Sequence, residues 1–213
     1  MNLKNTDPKV NKAIMYLINV DERIKPLVKS YHLEQLDSEK SYLKSLVRSI
    51  IFQQLSGRAA KTIFDRFMAL FLEEKNLNAN EILSLDSALM RSVGISSSKV
   101  NYIKNIAKSF VEKSIDYPNF SKLTDDQIIE SLVSIKGVGR WTAQMFLIFT
   151  LKRPDVFPEG DLGVRKGFQL FFNLEDLPSS ELILKRSEVW SPYRSFMARY
   201  FWKVSDDIEL LRR

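Results

Sequence analysis

The 213-residue chain is 45% hydrophobic, enough for a core of its own and too apolar for a disordered segment. It carries 32 Lys+Arg against 26 Asp+Glu, a net charge of +6, which favours an anionic partner such as nucleic acid but only weakly. It contains no Cys and a single His, His32, which excludes disulfides, thiolate nucleophiles, Cys-ligated zinc, iron–sulfur clusters and any His-rich metal site.

The N-terminal residues Met1 to Lys12 are polar, and the apolar run Ala13–Val20 is too short to span a bilayer. An intracellular protein without membrane association is expected. Next, Leu43, Leu46, Val47, Ile50 and Ile51 recur at the spacing of one helix face. Ala60, Ile63, Phe64, Phe67, Met68 and Phe71 repeat the pattern. Val100, Ile103, Ile106, Ala107, Phe110 and Val111 form a third, less regular stripe, and Ser96–Lys99 opens that helix as a plain N-cap or as a phosphate contact. Thr124-Asp125-Asp126-Gln127 has the form of a capping box ahead of Ile128, Ile129, Leu132 and Val133. Met145–Phe149 reads as a helix buried on most sides, and Pro192 is placed in the first turn of a last helix carrying Phe196, Met197, Tyr200, Phe201 and Val204. Asp155–Pro158 is a short extended piece at most. The expectation is an all-α chain of about nine or ten helices.

The segment Ile135-Lys136-Gly137-Val138-Gly139-Arg140 stands between two of these helices. Glycines permit positive φ and close approach of backbone to another molecule. N–H groups at a helix start, together with the helix dipole, favour an anion. Ile135 and Val138 are expected to anchor such a hairpin inward, with Lys136 and Arg140 flanking a phosphate. A grip of this kind holds DNA without reading its sequence. On spacing alone, a plain helix–helix connection is an equal reading. A Walker loop and a dinucleotide fingerprint are both excluded by the glycine pattern. About twenty residues on, Asp161 ends an acidic turn at the mouth of the next helix, where an N-cap and a catalytic carboxylate are the two readings, with Asp155 and Glu159 as solvated turn charges.

Four segments in order carry a family resemblance. Leu132–Ala143 resembles the helix-hairpin-helix of the DNA glycosylase superfamily named for that hairpin and its Gly/Pro-Asp loop, and Asp155–Gly163 resembles the loop itself. Ser49-Ile50-Ile51-Phe52-Gln53-Gln54-Leu55-Ser56 resembles the family's DNA-inserting helix end. Trp190-Ser191-Pro192-Tyr193-Arg194-Ser195 resembles the C-terminal signature of the 3-methyladenine glycosylase II branch. The resemblance implies a single glycosylase unit over 1–213, in two helical lobes with a cleft between them. Lobe A spans about 40–150 and contains the hairpin; lobe B takes about 1–39 plus 151–213.

Two departures select the branch. Bifunctional members place a Schiff-base Lys two residues after the second hairpin glycine, and here that residue is Trp141, so strand cleavage by an amine nucleophile is not expected. The cluster-bearing members need four Cys, and this chain has none. The remaining likeness is to monofunctional glycosylases of alkylated purines, in a compact form without the N-terminal β-rich domain. By that likeness Asp161 is the catalytic residue. Trp141, Tyr193, Met145, Trp190 and Gln53 form the base pocket, with Trp190 a core residue on the alternative reading. Gln54 or Leu55 fills the gap left by the flipped base, and Lys136, Gly137, Val138, Gly139, Arg140 and Thr142 hold DNA. The implied partner is double-stranded DNA with alkylated bases, bound by a monomer in the cytoplasm or nucleoid of a bacterium or the nucleus of a eukaryote. No catalytic metal or cofactor is implied, save a structural monovalent cation at the hairpin when DNA is bound. The alternatives are a glycosylase for other damaged bases, such as deaminated bases or 1-methyladenine, and a non-catalytic DNA-binding module of the same fold.

Overall fold

The computed structural model describes residues 7–36, 41–55, 57–71 and 77–211, with side chains through 207. Among these residues there are twelve α-helices and no strand. The chain divides into two compact units. One is continuous, Ser38–Leu151, and is called the hairpin unit below. The other joins Met1–Asp37 to Lys152–Arg213 and is called the carboxylate unit. No helix among the described residues is long and apolar enough to cross a membrane.

The helices run in chain order as α1 (Pro8–Val20), α2 (Ile24–Ser30), α3 (Tyr42–Phe52), α4 (Gly57–Met68), α5 (Ala79–Ser84), α6 (Ser87–Ser92), α7 (Ser97–Val111), α8 (Asp125–Val133), α9 (Arg140–Met145), α10 (Leu162–Phe171), α11 (Ser180–Ser187) and α12 (Arg194–Leu211). The count exceeds the nine or ten expected because α2, α5 and α6 have seven residues or fewer, less than two turns each. Too few apolar positions repeat in so short a helix to betray a period. His32 lies exposed in the chain that follows α2.

In the hairpin unit, the predicted faces of α3 and α4 are inside: Leu46, Val47, Ile50, Ile51, Ala60 and Phe67 have no exposed surface. The α7 stripe is buried from Val100 to Ala107 and then leaves the core, with Val111 exposed. Thr124 caps α8 through the full capping box, its hydroxyl accepting from Gln127 N–H while the Gln127 side chain accepts from Thr124 N–H. The apolar run Met145–Phe149 does not continue as an α-helix. After Met145 the backbone loosens into a π-turn over Phe146–Thr150, of which Phe146, Leu147 and Ile148 are buried and Phe149 is exposed. Tyr42, Phe120 and Phe146 pack ring to ring beneath it.

The carboxylate unit is organised on α10 and α12, whose facing sides include Val164, Phe168, Met197 and Phe201. Trp190 lies at the centre of an aromatic cluster with Phe157, Phe168, Phe172 and Phe201. Its indole N–H reaches Asp21 Oδ2 at 3.4 Å. Pro192 is not in the first turn of α12 as expected. It precedes that helix and follows Ser191 through a cis peptide bond. The last helix begins after it because Asp155 takes the Arg194 N–H at 3.1 Å.

Asp155 is not a solvated turn charge. It accepts two bonds from the Arg194 guanidinium at 2.9 Å each and one from Ser191 Oγ at 2.8 Å. Burial alone raises a carboxyl, but the Arg194 and Ser191 bonds and the Arg194 charge outweigh it and hold Asp155 below its ordinary value of 3.8. A lowered folded value means that the contribution to stability is complete above about pH 4 and is lost as pH falls through the folded value. Asp155→Asn is therefore expected to cost about 2 kcal/mol at pH 7. In urea titrations at pH 7 and pH 3, the gap to the native protein should be smaller at pH 3; an equal gap at both would separate Asp155 from the acid transition.

Candidate functional site: a hairpin, a turn and a helix-capping carboxylate

The hairpin connects α8 to α9. Val138 N–H closes it onto the Ile135 carbonyl at 2.9 Å, and both of these side chains are buried, as expected of anchors. Lys136 and Arg140 are exposed. The two glycines turn out to do different work. Gly137 has φ +105°, and a β-carbon there would collide with the Tyr102 ring of α7. Its lack of a side chain is a demand of the fold. Gly139 has φ −91° and caps α9, and a β-carbon there would meet nothing within 4 Å. The protein itself makes no demand for glycine at 139.

From the same side of α7, Asn105 donates its amide to the Lys136 carbonyl at 2.9 Å. The hairpin is thus set from below by Tyr102 and Asn105. Neither is marked by the sequence pattern, because both look like ordinary polar or half-buried helix positions.

The turn after α3 runs through Gln53, Gln54 and Leu55; Ser56, read as part of it, lies outside the described residues. Gln54 adopts φ +56° and is exposed, and Leu55 is 41% exposed. Gln53 is only partly accessible, and its amide donates to Thr142 Oγ1 at 2.8 Å. Lys99 Nζ donates to the Ile51 carbonyl at 2.9 Å and the Gln53 carbonyl at 2.7 Å. Ser96 is the N-cap of α7, accepting from Lys99 N–H at 3.4 Å, so the plain capping reading holds there. The Lys99 side chain points to a protein carbonyl pair rather than outward to a phosphate.

Two residues of the expected grip and pocket need correction. The Thr142 side chain is buried, with its hydroxyl taken up by Gln53, so any DNA contact by Thr142 runs through backbone. Trp190 has no exposed surface and belongs to the core of the carboxylate unit; a ring closed in on every side cannot stack on a base. Met145 is buried in α9, while Trp141 is partly accessible. Tyr193 is also partly accessible, edge-on to Tyr16 at 5.2 Å and to Phe196 at 5.9 Å. Tyr16, whose hydroxyl donates to the Ser191 carbonyl at 2.6 Å, is an aromatic neighbour that the sequence pattern did not reveal.

Asp161 sits at the N-cap of α10, where Oδ1 accepts from Val164 N–H at 2.9 Å. The same oxygen accepts from the Trp202 indole N–H at 2.8 Å. A cap explains the first bond; the second, from α12, holds the carboxylate in one rotamer. Gly163 makes room for it, since a β-carbon there would stand 2.8 Å from Trp202 Cδ1 and 3.2 Å from Asp161 Oδ1. Trp202 escaped the sequence reading because the contact spans 41 residues. Among the described residues no group of three or more His, Asp or Glu could hold a metal ion.

The family model for HhH-GPD superfamily base excision DNA repair proteins matches residues 47–192, which include the hairpin, the turn after α3 and Asp161. The chain belongs to that superfamily. Among its relatives, DNA-3-methyladenine glycosylase 1 of Schizosaccharomyces pombe is 36% identical over 92% of this chain and 88% of that protein. The DNA-3-methyladenine glycosylase of Saccharomyces cerevisiae is 33% identical over 94% of this chain and 72% of that one. In structure, the S. pombe 3-methyladenine DNA glycosylase Mag1 in complex with abasic DNA superposes with a TM-score of 0.86, covering 92% of this chain and 97% of that one. As a member of the HhH-GPD superfamily, the chain has the all-α fold its sequence implied, and its hairpin is the superfamily's motif.

The contrast between the two glycines is testable without any ligand. Gly137→Ala should lose about 3 kcal/mol through overpacking and positive φ. Gly139→Ala should stay within about 0.5 kcal/mol of the native protein in urea unfolding. Equal losses would show that both glycines serve the fold alone.

Proposed function

We propose that the protein is a monofunctional DNA glycosylase that flips alkylated purines of the 3-methyladenine and 7-methylguanine kind out of double-stranded DNA and cleaves the N-glycosidic bond, leaving an abasic site. The observation that carries this reading is Asp161, a carboxylate fixed by Val164 N–H and Trp202 Nε1–H, in a chain whose residue after the hairpin is Trp141 instead of a lysine. The relatives named above support the substrate class. A DNA substrate puts the protein's work inside the cell.

Loss of the base builds positive charge on the sugar. A fixed carboxylate stabilises that charge without reorganising and can orient the incoming water. At about 4 Å and an effective dielectric near 20, the attraction is roughly 4 kcal/mol, on the order of a thousand-fold in rate. An alkylated purine already carries positive charge and needs no general acid to leave. Its electron-poor face stacks on aromatic rings, a chemistry that Trp141 and Tyr193, each partly accessible within its own unit, can supply. Gln54 and Leu55 are the exposed residues for filling the vacated stack. Lys136, Arg140 and the backbone from Gly137 to Thr142 hold phosphate. At the hairpin, the Ile135 and Lys136 carbonyls each accept one hydrogen bond and keep a second lone pair. Such oxygens would suit a weakly held alkali cation, whose charge would favour a nearby anion, and do not fit a transition metal; no step depends on it.

Asp161→Asn keeps a capping side chain while removing the charge. It should bind DNA as before but lose about a thousand-fold in release of 3-methyladenine and 7-methylguanine from methylated DNA. The native protein should leave a strand that breaks only in alkali; direct nicking would overturn the monofunctional reading, and full activity of Asp161→Asn would remove the carboxylate from it. Trp202→Phe, which keeps the ring but not the N–H, should lower kcat about ten-fold with KM little changed. The same assay tests the non-catalytic DNA-binding module of this fold. Release of no base from methylated, deaminated or 1-methyladenine-bearing DNA would favour it. Gly139→Asp should weaken binding to all duplexes alike, whatever their sequence; unaltered binding would displace the phosphate grip from the hairpin.

A further inference from the structure

Three side chains on one side of α7 each hold a segment given a DNA-facing role above. Lys99 spans the Ile51 and Gln53 carbonyls at 2.9 and 2.7 Å. One turn on, the Tyr102 ring fills the space under Gly137. One further turn on, Asn105 holds the Lys136 carbonyl at 2.9 Å. Residues spaced by three lie along one flank of a helix. The buried stripe of Val100, Ile103, Ile106 and Ala107 keeps α7 itself from turning.

Lys99 is the member of this set that bonds the turn directly. Carbonyls at a helix C-terminus lack intrahelical donors and carry the negative end of the dipole, so an ammonium there is a cap. Here the capped carbonyls immediately precede Gln54, whose φ of +56° is unfavourable for a residue with a side chain. Burial draws the Lys99 ammonium down from its ordinary value, and among the described residues it reaches no carboxylate within salt-bridge distance; its partners there are the two carbonyls. Gln53 then ties the same turn to α9 through Thr142 Oγ1.

We propose that Lys99 is a positioning residue for base extrusion: through its bond to the Gln53 carbonyl it locks the exposed Gln54–Leu55 turn onto the helix that also sets the phosphate hairpin. The turn and the hairpin are then one rigid reader. Seating the backbone on the hairpin brings the wedge to a fixed depth, and no binding energy is lost in ordering the turn. This rests on the wedge reading proposed above.

The test compares excision of one lesion from two duplexes, one normally paired and one with the lesion facing a mismatch, where less unpairing work is needed. Lys99→Met keeps the aliphatic stem and removes the donors. It should excise from the paired duplex about ten-fold more slowly, excise from the mismatched duplex within about two-fold of the native rate, and bind abasic product DNA normally. Lys99→Arg, which restores donors, should recover most of the paired-duplex rate. Should Lys99→Met unfold, Lys99→Gln is measured in its place, since its shorter amide loses the same bridge. Equal slowing on both duplexes, or none on either, overturns the proposal. Gln54→Ala and Leu55→Ala serve as the second arm. If neither slows paired-duplex excision, the wedge reading itself fails; if they do and the Lys99 variants do not, only the role of Lys99 fails.

Discussion

The carboxylate unit depends on how closely α10 and α12 approach. Gly167 lies where a β-carbon would collide with the Phe201 carbonyl, and Gly163, one turn earlier on the same side of α10, leaves the space that the Trp202 ring occupies. Two glycines at i and i+4 let backbone press on backbone, and the gain in contact along Val164, Phe168, Met197 and Phe201 offsets the entropy that helix glycines cost. Because the helices cannot slide at so short a distance, Trp202 arrives at Asp161 at a fixed height. The electrostatic role of Asp161 is thus bought with core packing.

The hairpin unit solves a related problem by another route. Its exposed elements are turns, and turns have few internal bonds to hold them. From a single rigid helix, Lys99 and Asn105 supply hydrogen bonds and Tyr102 a packed ring. In both units, then, a long helix with an apolar side lends polar side chains from its flank to a loop beside it. The loops stay fixed without being buried, a condition for meeting a macromolecule with little reorganisation.

Much of this was legible in the chain. The stripes of α3, α4 and α8 marked their buried faces because apolar residues at helical spacing have few other uses, and the capping box at Thr124 is a local signal complete within four residues. The hairpin and Asp161 were visible as residue types in a family order. What stayed hidden was every tie between distant positions: Trp202 to Asp161, Lys99 to Gln53, Tyr102 to Gly137. Those contacts have no spacing of their own. Pro192 and the pocket reading of Trp190, though not its core reading, go astray for a related reason. A tryptophan beside a signature motif looks like a ligand-facing ring until the surrounding Phe157, Phe168, Phe172 and Phe201 are seen to enclose it. A proline suits a first turn until Asp155 is seen to start the helix two residues later.

The placement of sulfur has a chemical consequence. Met68, Met90, Met145 and Met197 are all buried, and there is no cysteine anywhere in the chain. Soft sulfur is the side-chain atom that soft electrophiles find first, and of the described methionines only Met15 offers it to solvent. A protein whose proposed substrate is made by methylating agents must meet those agents too. With four of its described thioethers sheltered, the reagent that damages the DNA meets little soft sulfur on the described surface.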